Sequence, residues 1–225
     1  MKQRILVLAV AICASVLLIV PVWPRFVSGA ITAQHEDTLR DIARDRKVSR
    51  ARLQETETAL RVARKWTDDG KLSQSLGNMR FIAARNADSA SAQRAALTET
   101  ISVLREGLAK APAQPYAWLQ LAQADRARNG PAASIEQYLS MSMILARWEH
   151  RLVLPRLEIA LAAWPRLSPA FKSRLPGQFE RAIDTAPLAL ARATRRSFAL
   201  RAVRQMLAAS PIHLERFGVV YFSPD

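Results

Sequence analysis

Cysteine, glycine and histidine are all scarce in this chain of 225 residues, and each shortage excludes something. The one cysteine, Cys13, lies inside an apolar run, so neither an intrachain disulfide nor a cysteine-based metal site can form. It does not suit lipidation either, because Ile12 stands where a small residue is needed and the apolar run continues past it. Only 7 glycines are present, and none falls in a phosphate-cradling GxGxxG or GxxxxGK or in a GxSxG elbow. The three histidines, His35, His150 and His213, are scattered and belong to no metal-ligand spacing. We therefore expect no metal, no cofactor and no enzymatic reaction.

Aromatic content is also low, at 7%, while alanine, leucine and arginine are plentiful. Those three are among the best helix formers, whereas strands favour aromatic and β-branched residues, so an all-α fold is expected. The formal net charge is +14, from 33 basic and 19 acidic side chains. Such an excess suits nucleic acid, an anionic membrane surface or an acidic polymer, but no run of like charge concentrates the field. Arginines that simply solvate helix faces explain it as well.

The sequence opens with MKQR and then runs from Ile5 to Trp23 with Ser15 as its only polar side chain. As a helix that run spans roughly 28 Å, close to the ~30 Å of a bilayer core, so residues 1–25 are expected to be a transmembrane anchor. A cleaved signal peptide is the competing reading, and Val27-Ser28-Gly29-Ala30 offers it only a weak small-residue site. Trp23 suits the membrane interface, and Lys2 and Arg4 hold the short end in the cytoplasm by the positive-inside bias. The body would then face the periplasm from a bacterial inner membrane, crossed once.

Residues 26–70 read as a charged helical stem, with a long helix from Ala30 to Trp66. Leu39, Ile42, Leu53, Leu60 and Ala63 form a sparse apolar stripe, but Arg46, Ser49 and Thr56 interrupt the heptad. That favours a stem packed on its own domain over a dimer zipper. Beyond the turn at Thr67 to Gly70, helices are expected over 71–84 and 91–110. Next come two helices between Pro112 and Met143, broken at Asn129-Gly130-Pro131. Pro155 implies a new helix or a kink, Pro169 starts another helix, and Pro187 begins one reaching about Ala209. Ser210-Pro211 stops it, leaving a short apolar tail, packed or briefly extended.

Thr100, Ile101, Leu104, Gly107, Leu108 and Pro112 resemble the second helix and terminal proline of a tetratricopeptide repeat. Tyr116, Trp118, Leu121 and Ala122 resemble the first helix of the next repeat, and Ser134, Ile135, Tyr138 and Met141 continue the 34-residue frame. The resemblance covers residues 98–147 most clearly, within an expected repeat-like domain over 71–225. Asp125 departs from the aromatic residue that the pattern wants.

The resemblance implies a face of the Pro115–Asn129 helix, carrying Tyr116, Leu119, Gln123 and Arg126, that lines a groove for peptide segments of a protein partner. It also implies a scaffold or adaptor in the membrane or periplasm, of the kind that accompanies envelope and exopolysaccharide assembly. Arg192, Arg195 and Arg196 share a helix face and form a secondary basic surface. Aromatics are too sparse there for a nucleic-acid track, so an anionic lipid surface or acidic glycan suits it better. The alternative from another class is a periplasmic enzyme subunit or glycan-processing protein whose site forms only in three dimensions.

Overall fold

The computed structural model describes residues 20, 22–43, 46, 48–67, 69–130 and 134–223. The expected anchor lies almost wholly outside them; among the described residues no helix is long and apolar enough to cross a membrane. All regular structure among them is helical. Helix α1 covers residues 22–33. It is followed by α2 (Glu36–Ala43), α3 (Arg50–Trp66), α4 (Gly70–Arg85), α5 (Ala90–Lys110), α6 (Pro115–Asn129) and α7 (Ser134–Leu145). Then come α8 (His150–Ala162), a 3-10 turn (Trp164–Arg166), α9 (Pro169–Lys172), α10 (Pro176–Thr185), α11 (Pro187–Arg196), α12 (Leu200–Leu207) and α13 (Pro211–Phe222).

Local chemistry explains most of these boundaries. Side chains of Ser49, Asp69, Ser89 and Ser168 accept from the first free backbone N–H groups of α3, α4, α5 and α9. Pro115, Pro169, Pro176, Pro187 and Pro211 each stand at a helix start, where a missing N–H costs nothing. Between α6 and α7 the chain turns at Gly130, whose φ of 69° suits a residue without a side chain.

Four expectations need correcting. The helix expected over 30–66 is three segments, interrupted around residues 34–35 and again before Ser49 caps α3. Of the two readings of Pro155, a new helix is excluded, because α8 begins five residues earlier and continues through it. The helix expected over 187–209 is divided at Ser197 to Ala199 into α11 and α12. The preceding helix does end before Ser210-Pro211, but Pro211 is also the first residue of α13, so the tail is helical and packed on the core rather than extended.

Consecutive helices pack as pairs, α4 on α5 and α6 on α7, with α5 against α6, and α6, α8 and α11 form a row of neighbours. This is a repeat-like stack. The α4–α5 contact is close because two glycines allow it. A Cβ on Gly77 would lie 2.5 Å from Leu104 Cδ2, and one on Gly107 would lie 2.8 Å from Ser73 Cβ. The main core runs from the end of α4 to α13, with Leu104, Leu121, Ile135, Leu157, Phe179 and Val203 among its fully enclosed members. A separate, smaller cluster holds Leu60, Leu76, Met79 and Val103, against which Leu39, Ile42 and Leu53 pack. The stem stripe is thus laid on α4 and α5.

One buried charge crosses the middle of the stack. Arg156 of α8 is only 1% exposed, and its Nε donates to Ser142 Oγ at 3.0 Å. Its two Nη atoms donate to the Ser142 carbonyl at 2.6 Å and the Ala146 carbonyl at 2.9 Å, while Ser142 Oγ donates to the Pro115 carbonyl at 2.8 Å. The guanidinium thus ties α8 to the end of α7, and Ser142 carries the link on to α6. Burial pulls the Arg156 pKa down to about 10, which leaves it protonated at neutral pH. The last carbonyls of α7 are where a helix dipole favours a cation.

Candidate functional site

Helix α6 is enclosed on more sides than an amphipathic pattern suggests. Ala117, Leu121, Ala124 and Asp125 are buried, and so is Leu119, at 5% exposure, because α8 lies against α6 as well as α5 and α7. Leu119 therefore belongs to the core. Gln123 is half-buried, while Tyr116 and Arg126 reach solvent. Those two lie at opposite ends of the helix, roughly 15 Å apart at ~1.5 Å per residue. They do not form one site. Tyr116 belongs to the neighbourhood of Arg156: burial first, then the Glu149 carboxylate, raises its pKa above the ordinary phenol value.

Arg126, at the other end, joins a residue from the second predicted set. With Arg196 of α11 it lines a cleft of about 270 Å3 whose remaining walls are Glu158, Ala162, Ala193 and Ser197. The cleft lies where the carboxyl-terminal halves of α6, α8 and α11 come side by side. Arg196 donates to Glu158 Oε1 at 2.8 Å, whereas the Arg126 side chain makes no hydrogen bond or ion pair among the described residues. Two guanidinium groups and one carboxylate leave a local excess of positive charge. The alanines keep the floor shallow enough for a peptide backbone or a short side chain to approach.

The remaining arginines separate. Arg195 faces the carboxyl-terminal helix, where it donates to the carbonyls of Tyr221 and Ser223 and stands 5.3 Å over the Tyr221 ring. The side chain of Arg192, exposed one turn before Arg196, makes no hydrogen bond or ion pair among the described residues. The structure thus brings Arg126 and Arg196 together and takes Arg195 away. Sequence reasoning missed Glu158, although it is the only acidic residue in the α8 stretch HRLVLPRLEIALA.

Phe198 adjoins this cleft through Ser197 and is held in an unusual state. It is 96% exposed, and its φ of 52° puts a bulky side chain in the left-handed region. The backbone there closes a helix. Ala199 N donates to the Thr194 carbonyl at 3.1 Å and Phe198 N to the Arg195 carbonyl at 3.2 Å, the paired bonds of a Schellman stop, in which glycine is the usual occupant.

The histidines meet different partners, and among the described residues no group of three His, Cys, Asp or Glu side chains is placed to hold a metal. His213 contacts Ser210 Oγ at 2.6 Å through Nδ1 and Asp184 Oδ1 at 3.5 Å through Nε2, which puts Ser, His and Asp in line. Ser210 and His213 lie within one helical turn, however, and Arg216 holds the same Asp184 oxygen at 2.8 Å, closer than the imidazole does. That carboxylate is oriented by the arginine, so the cluster suits fastening α13 to α10 better than activating a nucleophile.

No protein-family model matches this chain, and neither a curated protein nor a solved structure matches it.

Proposed function

We propose that this chain is an adaptor with a tetratricopeptide-like stack, which binds an acidic segment of a protein partner where α6, α8 and α11 meet. The observation that carries the reading is Arg126. It stands in the same cleft as the Arg196–Glu158 pair and has no partner of its own among the described residues. A guanidinium fork offered at a shallow cleft suits a carboxylate, which it can take through two parallel hydrogen bonds. Glu158 already serves Arg196, so a carboxylate from outside finds the cleft attractive on balance. The run from Ile5 to Trp23 supports a single-pass anchor in a bacterial inner membrane with the body in the periplasm. Work beside envelope or exopolysaccharide assembly is what the family resemblance implies, and the reading includes it on that ground alone.

The reading predicts that Arg126→Ala with Arg196→Ala leaves stability within ~0.5 kcal/mol, since both side chains are exposed, yet releases the partner from crosslinked membranes. Glu158→Gln removes the competing carboxylate and should keep or strengthen capture. If the double variant is folded and still captures every partner that the unaltered protein does, this cleft is not the working surface.

A further inference from the structure

A second cleft, of about 230 Å3, opens between the last turns of α7 and the short α9, and the ionic side chains on its walls are two arginines. Met143 and Phe171, both buried, form its floor, Arg147 and Arg174 flank it, and Ile144 is a lip that is 69% exposed. The loop that leads to α8 continues this surface. Leu145 is exposed, and Trp148 is 55% exposed, with its ring beside Gly177, where an added Cβ would come within 3.2 Å. The Arg147 guanidinium lies 4.9 Å from the centre of that ring. Acidic side chains on α7 and the loop are engaged elsewhere. Glu136 accepts from Ser168 N at 2.8 Å and Ser168 Oγ at 2.7 Å, and Glu149 accepts from Arg151 N.

An exposed isoleucine or leucine alone needs no explanation. Here an aliphatic lip, a half-exposed indole and two guanidinium groups are contiguous, and the two kinds of group ask for different surroundings. An acidic peptide would satisfy Arg147 and Arg174 and leave Ile144, Leu145 and Trp148 in water. An apolar groove on another protein would do the reverse. A surface with phosphates outside and hydrocarbon behind them satisfies both sets at once. Tryptophan partitions to that boundary, guanidinium groups take phosphate oxygens in pairs, and an arginine stacked on an indole keeps its charge near an apolar surface.

We infer that the end of α7, the α7–α8 loop and the α9 region form a membrane-surface contact, placing Ile144, Leu145 and Trp148 among the headgroups of an anionic bilayer with Arg147 and Arg174 on lipid phosphates. The inference is independent of the Arg126 cleft. It also differs from a hydrophobic span, since it concerns the folded body.

Because Cys13 is the only cysteine, the full chain carrying Cys13→Ala and Ser140→Cys can hold one environment-sensitive fluorophore beside the cleft. It is reconstituted into bilayers of phosphatidylcholine alone and of phosphatidylcholine mixed with phosphatidylglycerol. The label's emission should shift to the blue in the mixed bilayer and not in the neutral one. Each basic side chain near an anionic surface changes its partitioning about fivefold, so Arg147→Glu with Arg174→Glu should lower the ratio of membrane-bound to water-exposed label by at least about 25-fold. Unchanged helicity by circular dichroism ensures that the double variant is folded; were it unfolded, the comparison of the two bilayers with unaltered arginines decides. A water-like emission in both bilayers overturns the inference, as does a shift that survives charge reversal. A shift produced equally by soluble polyglutamate without lipid also overturns it and assigns the cleft to an acidic protein partner.

Discussion

At Arg156 a cation is enclosed with no carboxylate bonded to it among the described residues, which is tolerable only because carbonyl and hydroxyl oxygens at the end of α7 satisfy its fork. Removing it should therefore cost more than removing any surface arginine. Arg156→Ala is expected to lose about 3–5 kcal/mol in chemical denaturation, since it orphans two carbonyls and leaves a cavity. Arg156→Met, which keeps volume but no donors, should lose less, about 2–3 kcal/mol. Nothing in the sequence distinguished this arginine from its many neighbours, because hydrophobic periodicity treats every arginine as a surface residue. Asp125 shows the same blind spot. It departs from the repeat pattern as a polar residue at a packing position, and in the structure its carboxylate accepts from Asn129 Nδ2 at 2.7 Å and from Ser134 Oγ. The departure marks a tie across the Gly130 turn. Trp118 packs as a partly exposed staple, donating from Nε1 to the Pro112 carbonyl at 2.8 Å with its ring 6.1 Å from Tyr138.

Among the elements, α11 and α12 show why boundaries were less legible than helices. Proline starts are chemically explicit, so Pro115, Pro169 and Pro187 could be read directly from the residues. The stop at Phe198 could not, because its left-handed position is filled by a phenylalanine where glycine would have announced it. That choice should be measurable. Phe198→Gly relieves the left-handed strain and exposes no core, so it should raise stability by up to about 1 kcal/mol, seen as a higher urea midpoint with unchanged slope. Any effect on partner capture would link Phe198 to the cleft beside it. The cleft itself was half legible: Arg126 and Arg196 were each singled out, but their meeting depends on α6, α8 and α11 lying in a row, which no local pattern encodes. Leu119 failed as a groove residue for the same reason, since α8 covers it.

For the whole molecule, the expectation with the widest consequences is that the amino-terminal run is retained. Intact-mass measurement of the protein purified from membranes should give the full chain, and a mature start near Ala30 would remove the anchor. Carboxyl-terminal fusions to reporters active only in the periplasm or only in the cytoplasm should report the periplasmic side. If the chain is held at that end, the division between its two cores acquires a mechanical meaning. Tension entering through α1 meets α2 and α3 first, and these are secured by the small cluster around Leu60, Leu76, Met79 and Val103. That cluster should give way before the larger core. Pulled straight at ~3.3–3.6 Å per residue, residues 22–66 would reach roughly 150–160 Å, and the slack released is that length less the span of the folded helices, while α6, α8 and α11 stay assembled. The stem would then behave as a shock absorber, letting the binding body stay engaged while the distance to the membrane changes.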